Sequence, residues 1–596
     1  MNKKQWVIPA NAVLIFLCLL SFSEVGVTAP VVKGPIAKSV DEYLSRIVPY
    51  GFSGAVLVAK DERIILNKGY GMAVRAKNIP NTNTTVLSTG SITKQFTAAA
   101  IMKLEMQGKL NTADPITKFF KKVPEDKKNI TLHHLLTHTS GIVDAVGADY
   151  VVAKRDETIT KILKEPLQFT PGEEFSYANA GYSLLAAVIE IVSGQDYEKF
   201  LNEQLFKPAG MHFTGYRIPQ WNKRVVAHWY VGEKDNGTPL EKPYPYWNVI
   251  GNGEILSTTG DMYRWHLALK GDKILSKEAK KKIFTPYLND YGYGWDVLES
   301  DHGLLIQHDG GSGLGSSAEF RRYIDGNVVT IIFCNQSYGR RALFNVLRDK
   351  LETLAFGGKV NIPPGTIEKP FEELKPFTGN YSLSGTSGFN IEGKNNRLYL
   401  EPLGQEAIDA LYFDSSTAQT IQGLHKLSVS IFKAALKGDF KPFTDILANK
   451  EKRARGVQQF IQMRIKRYQK QTGKIIDVST VYTVPGQDEG EMIAITTVRL
   501  KGEKESIYFD LFWKEGKNVG VAPRRQPESL ALPILPLEST KNEFAGYHLP
   551  LAKTIRLSFK TAKDGGVEGL TVHNDQTGQA FFAKKGVAPP THSRSS

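Results

Sequence analysis

Between Gly54 and Ala73 the chain sets two short apolar runs on either side of Asp61 and Glu62, which predicts a β-hairpin. From Ser88 to Gln107 the pattern changes to a turn followed by a long, largely buried helix. Ile92, Phe96, Ala99, Ala100 and Leu104 supply apolar surface there, and the Ala-rich centre suits tight packing among other helices. Ile130 to Ile142 (I-T-L-H-H-L-L-T-H-T-S-G-I) predicts a short helix running into a loop. Thr170 to Gly194 predicts a loop that opens into a second apolar helix, and Gly251 to Leu269 repeats that shape. Tyr291 to Val297 begins a run of strands, and Glu319 to Gln336 predicts a hairpin around Asp325-Gly326-Asn327. A helix from about Arg340 to Ala355 ends this part of the chain. Strands thus flank a mostly helical middle, and the simplest packing is one sheet built from the two ends with a helical lobe inserted.

After Phe356 the texture changes. Residues 357–370, with two adjacent glycines and a Pro-Pro, read as a linker between a domain at 31–356 and the C-terminal segments. Residues 371–416 predict short alternating strands. Residues 417–525 predict helices and then strands, and residues 526–590 a further β segment. The basic residues from Lys450 to Lys474 read as a solvated helix face.

At 596 residues the chain is too long for one ordinary domain. Lys3 and Lys4 precede the apolar run Ala12–Leu20, which is the layout of a secretory signal over residues 1–29 and too short to span a bilayer comfortably. Cleavage is expected after Ser23 or Ala29. Leu17 before Cys18 argues against lipid anchoring, and an uncleaved N-terminal anchor is the alternative. The expected location is periplasmic or extracellular, with no transmembrane span in the mature chain. Only Cys334 of the 2 cysteines would remain there, so no intramolecular disulfide can form. The net charge of +14 fits attraction to anionic cell-envelope components or simple solubility, and no nucleic-acid motif accompanies it.

The candidate chemistry begins at Ser91 and Lys94. Three residues apart at the head of a helix, they share one face, and Ser91 sits among free backbone N–H groups at the positive end of the helix dipole. A desolvated Lys94 would lose its proton more readily and could take one from the hydroxyl. Ser430-Ile-Phe-Lys433 has the same spacing and reads as an accident within an amphipathic helix. His134 and His138 have an i, i+4 spacing that zinc sites use, but Leu135 stands where a metalloprotease helix needs Glu. No metal and no cofactor is expected.

Two further short motifs complete the set: Tyr177-Ala178-Asn179 before the second apolar helix, and His308-Asp309-Gly310-Gly311 at a strand edge. With Ser-x-x-Lys, Tyr-x-Asn and His-x-Gly in this order, the chain resembles the serine β-lactamase-like family: penicillin-binding proteins, class C β-lactamases and their esterase and D-amino-acid peptidase relatives. The stretches L-L-T-H-T-S-G, F-x-P-G-x-x-F-x-Y-x-N-x-G-Y and Y-G-Y-G-W also match, over about residues 40 to 356. The resemblance implies an α/β (α+β) β-lactamase/transpeptidase-like domain, an antiparallel sheet plus a helical lobe. It also implies acyl-enzyme chemistry on Ser91 with Lys94 and Tyr177 sharing the base role, a phenolate beside an ammonium. Asn179, His308, Gly310 and Gly311 would bind substrate, with the amides of Ser91 and Gly311 as the oxyanion hole.

Penicillin-processing members usually carry Lys-Thr-Gly or Lys-Ser-Gly where this chain has His308. The expectation is therefore an amide, peptide or ester hydrolase acting on a small-molecule or peptide substrate. The alternatives are a β-lactamase or D-Ala-D-Ala carboxypeptidase, and a non-catalytic binding scaffold. Phe377-Thr-Gly-Asn-Tyr381 resembles the opening of small lipocalin-like barrels, and Phe544-Ala-Gly-Tyr547 a second opening or the far half of one barrel split by an insertion. Residues 417–525 resemble a cone-shaped α+β domain of the nuclear-transport-factor-2-like type.

Overall fold

The computed structural model describes residues 29–337, 341–394, 396–448, 450–488, 491–524, 526–527, 529–538, 540–574 and 577–586. The signal-like segment up to residue 28, with Cys18, lies outside the described residues. The chain divides into two compact units. One takes the described residues up to Asp41 and Ser53–Ser337; the other takes Glu42–Phe52 and the described residues from 341 onward.

The first unit is built on a seven-stranded antiparallel sheet. Its strands are β1 (Val31–Val32), β2 (Gly54–Lys60), β3 (Arg63–Tyr70), β4 (Asp296–Ser300), β5 (Gly303–Ser312), β6 (Ser316–Tyr323) and β7 (Val328–Cys334), in the spatial order β1-β3-β2-β7-β6-β5-β4. The two hairpins turn where polar residues accept positive φ, at Asp61 and Glu62 and at Asn327. The two ends of the unit join where β2 pairs with β7, Val56 opposite Ile332. Every residue of β7 is buried, and so is β2 as far as Ala59. Central strands covered on both faces read as unbroken apolar runs, which is why V-V-T-I-I-F-C does not alternate. Cys334 is buried in β7 and behaves as a small apolar residue, its thiol pushed up by that burial.

Two helices of the inserted lobe carry site residues, α1 (Thr93–Met106) and α2 (Asn179–Ser193), and a third, α3 (Thr259–Lys270), packs against α1. α1 is buried nearly all round, and Phe96 meets Phe206 and Trp265 edge-on at centroid distances of 5.0 and 5.3 Å. Leu184 to Ile189 bury α2, which ends at Gly194 in the left-handed conformation (φ 70°). Thr258 caps α3 by accepting from the Asp261 N–H at 3.1 Å.

In the second unit eight strands close into one barrel: 379–382, 388–394, 397–403, 532–536, 543–548, 553–561, 567–574 and 579–585. Between its third and fourth strands the chain leaves to form the helices Gln405–Tyr412, Ser415–Leu436, Lys441–Asp445 and Lys450–Thr472, then a four-stranded antiparallel sheet over 475–524. Ile431, Phe432, Phe443, Ile461, Val498, Phe509 and Trp513 form the core of that excursion. Ser430 and Lys433 are exposed on the helix, and the Ser430 hydroxyl donates to its own helix at Leu427 O. Among the described residues no helix is long and apolar enough to cross a membrane.

Candidate active site

Ser91 stands in a tight helical turn, Gly90–Ile92, that runs into α1. The end of β5 presses on this turn, backbone to backbone. A Cβ on Gly90 would lie 2.3 Å from the Gly311 nitrogen, and one on Gly310 would lie 2.5 Å from the Ser91 nitrogen. Glycine at Gly90 and Gly310 is therefore a packing requirement, and Gly90 also has φ +51°. The sequence motif His308-Asp309-Gly310-Gly311 thus reaches Ser91 through its glycines.

Lys94 is completely buried, and its Nζ has three partners: Ser91 Oγ at 3.1 Å, Asn179 Oδ1 at 2.7 Å and Asn252 O at 2.7 Å. The last two can only accept. A neutral amine has two N–H bonds to give them and one lone pair left, which then faces the Ser91 hydroxyl. Burial pushes Lys94 down to about 7, against the pull of Asp144, Asp309, Glu254 and Asp149. The three partners suit an ammonium as well as an amine, so it is desolvation that readies Lys94 to give up its own proton and take the one from Ser91.

Tyr177 shares a hydrogen bond with Ser91. Burial holds its phenol well above the ordinary tyrosine range; the Ser91 bond lowers it, and Asp309, Asp296 and Asp144 raise it. Both shifts favour neutral forms. Desolvation outweighs the attraction between the charges: it holds Tyr177 as the phenol, in place of the phenolate that the resemblance implied, and brings Lys94 to about 7, where amine and ammonium are both populated near neutral pH.

The loop carrying Tyr177 is anchored by His138. The Ser176 N–H donates to His138 O at 3.0 Å and the Ala178 N–H to His138 Nδ1 at 3.0 Å, while the imidazole lies against the Tyr177 ring at 4.3 Å. His134 Nδ1 accepts from the Thr131 N–H in a capping box. These two histidines serve the backbone, and among the described residues no cluster suited to a metal ion is found.

His308 is buried, its Nδ1–H donating to Asp309 O at 2.5 Å and its Nε2 sharing a hydrogen bond with the Tyr291 hydroxyl at 2.9 Å. Burial keeps the Tyr291 phenol protonated. The imidazole is a strut on β5, tied to the backbone on one side and to Tyr291 on the other. Asn179 opens α2, with Oδ1 toward Lys94 and Nδ2 toward Asp144 at 2.9 Å.

The β-lactamase family model matches residues 41–352. The chain belongs to the β-lactamase family. Its fold is the family's α/β fold, and the family is of the serine hydrolase type. This β-lactamase-family protein is 29% identical over 411 residues to penicillin-binding protein 4* of Bacillus subtilis (strain 168), covering 64% of this chain and 89% of that one. It is 34% identical over 274 residues to the protein PbpX of the same organism, covering 45% of this chain and 68% of that one. The octameric penicillin-binding protein homologue from Pyrococcus abyssi is 22% identical, with a TM-score of 0.49, covering 80% of this chain and 100% of that one.

The sequence reading missed Asp144, Asn252, Glu254 and Tyr291 in this family member. None lies in a short motif with Ser91. Asn252 contributes a backbone oxygen, which leaves no residue-type signal; Tyr291 opens the recognised Y-G-Y-G-W stretch, but nothing in that stretch marks its hydroxyl as the partner of His308.

Proposed function

We propose that the protein is an exported serine hydrolase that cleaves amide, peptide or ester bonds through an acyl-enzyme on Ser91. The observation that carries this reading is the Lys94 amine, 3.1 Å from Ser91 Oγ with its other donors committed to Asn179 Oδ1 and Asn252 O. In acylation the Ser91 oxygen forms a bond to the substrate carbonyl carbon while its proton passes to Lys94 Nζ. The Ser91 and Gly311 amides receive the developing oxyanion. The tetrahedral intermediate collapses as the Tyr177 hydroxyl gives its proton to the leaving amine or alcohol, and Lys94 restores that proton to Tyr177. Water then attacks the ester carbonyl by the reverse route: its proton goes to the Lys94–Tyr177 pair, and the released Ser91 oxygen takes one back. The second Nδ2 proton of Asn179 is placed to bind a substrate carbonyl. Lys3, Lys4 and the run Ala12–Leu20 support export.

A penicillin-binding carboxypeptidase or β-lactamase is the second reading, favoured by the similarity to penicillin-binding protein 4*. His308, tied to Asp309 O and Tyr291, stands where penicillin-processing members usually carry lysine, and that replacement argues for the first. Intact mass after exposure to a fluorophosphonate, and separately to a labelled penicillin, tests both, with Ser91→Ala as control. A Ser91-dependent fluorophosphonate adduct without a penicillin adduct is expected. Rapid, stable penicillin labelling moves the assignment to the second reading, and labelling by neither reagent overturns both.

A further inference from the structure

Behind the Ser91 turn lies an acid that no motif announces. Glu254 is 4% exposed, and its backbone has φ +65°, where a non-glycine residue is strained by about 1 kcal/mol. Burying a carboxyl adds a further cost. A glycine would avoid both, so the side chain must contribute something that a glycine could not.

The carboxyl accepts from the Ser88 hydroxyl, and Ser88 Oγ accepts in turn from the Gly90 N–H at 3.1 Å. The Glu254 N–H donates to Gly90 O at 3.2 Å. Gly90, the residue before the nucleophile, is thus held at both its donor and its acceptor by one residue and its relay. Two positions earlier on the same strap, Asn252 O receives the Lys94 Nζ, and the Tyr216 hydroxyl pins the strap by donating to Gly253 O at 2.7 Å.

We propose that Glu254 is a positioning residue: its carboxyl, acting through Ser88 and Gly90, holds the Ser91 hydroxyl in line with Lys94. This rests on the reading of Ser91 as nucleophile. The charged and titratable groups that face Glu254 are Lys94 on α1, Asp149 and Tyr150 on the loop after residue 144, and Tyr246. Burial raises Glu254 to about 7; Asp149 adds to that rise, while the hydrogen bonds from Ser88 and Tyr150 and the charge of Lys94 favour the carboxylate. The carboxylate in return favours the Lys94 ammonium. A neutral replacement that keeps the hydrogen bond therefore leaves the turn in place but lets Lys94 release its proton at lower pH.

The test uses the full chain and the rate of Ser91 modification by a fluorophosphonate between pH 5 and 9, with Ser91→Ala as blank. Glu254→Gln is expected to keep the plateau rate within about threefold and to move the acidic limb down by about half a pH unit or more. Glu254→Gly relieves the backbone and is expected to melt no lower than the wild type, yet to lose about tenfold or more of the plateau rate. Ser88→Ala should lose a similar factor, and the double variant Ser88→Ala with Glu254→Gly no more than either alone. A Glu254→Gly protein with the wild-type rate and profile, an unmoved limb in Glu254→Gln, or fully multiplicative losses in the double variant would each overturn the proposal. Failure of the wild type to label at Ser91 is a separate result, which removes the hydrolase reading itself.

Discussion

Asp144 fixes the orientation of Asn179. Its Oδ1 accepts from both the Asn179 backbone N–H at 3.0 Å and the side-chain Nδ2 at 2.9 Å, which turns Asn179 Oδ1 to Lys94 Nζ at 2.7 Å. An amide that could otherwise flip is held with its acceptor toward the base.

Replacing Asp144 with Ala should therefore affect the rate far more than the stability. Asp144 is exposed, so its loss should change stability by no more than about 0.5 kcal/mol. Once Asn179 can turn its Nδ2 toward Lys94, the amine loses an acceptor and its lone pair no longer faces Ser91. A ten- to hundredfold drop in fluorophosphonate labelling is expected, of the order found for loss of one group in a positioned proton transfer. The limb of the pH profile should also move to lower pH, because Asp144 is the largest charge holding the proton on Lys94. Rates by intact mass and melting curves on the same samples check both parts.

The pH dependence of the wild type is set by Lys94. A buried amine pushed down to about 7 must be unprotonated to accept from Ser91, so labelling should rise with pH through about 7 and then level. Lys94→Met removes the acceptor and should cost about a thousandfold across the whole range. A rate that instead fell with rising pH near neutrality would mean that the ammonium is the working form.

Much of the first unit was legible because its signals are local. The hairpins at Asp61-Glu62 and Asp325-Gly326-Asn327 announce themselves by turn residues between apolar runs, and two such ends around a helical middle can pair only in a few ways. Ser91, Lys94, Tyr177 and Asn179 were legible because reactive side chains recur in fixed short motifs. Glu254 and Asp144 were not, since each works through the backbone or the orientation of another residue far away in sequence. The protonation of the Lys94–Tyr177 pair was also hidden: it depends on how completely the fold excludes water, which spacing does not encode. In the second unit, Phe377-Thr-Gly-Asn-Tyr381 and Phe544-Ala-Gly-Tyr547 pointed to two openings or to one barrel split by an insertion, and the single barrel is what forms; only the register that sets Leu398 opposite Ile534 had no local signal.

The contact between β5 and the nucleophile turn gives a prediction about packing. On Gly310 a Cβ would meet Thr89 O at 2.4 Å and the Ser91 nitrogen at 2.5 Å, and both are backbone atoms that cannot swing aside. Gly310→Ala should cost about 1–3 kcal/mol and lower Ser91 labelling by more than tenfold, because the strand can be accommodated only by moving from the turn. Gly313 is the control on the same segment. Nothing lies within 4 Å of a Cβ placed there, so Gly313→Ala should melt and label like the wild type. Equal behaviour of the two variants would contradict the close approach.

The buried carboxyl of Glu254 makes the stability of the first unit depend on pH in a direction that can be worked out. Burial raises its value in the folded chain from 4.5 to about 7. Between those pH values the folded protein keeps a proton that the unfolded chain has released, so this group's contribution is fully present below about 4.5 and is lost as pH rises through about 7. Lys94 acts in the opposite sense: lowered from 10.5 to about 7, it makes the fold more stable as pH rises between those values. Glu254→Gln deletes the first effect and moves the second to lower pH without changing its sign. It should be no more stable than the wild type at pH 4, where both side chains are neutral, and more stable by roughly 1–3 kcal/mol at pH 8, where only the wild type buries a charge. Urea midpoints of the two proteins at the two pH values measure the difference. A gain at pH 4 equal to that at pH 8 would show that shape, not charge, separates the two side chains.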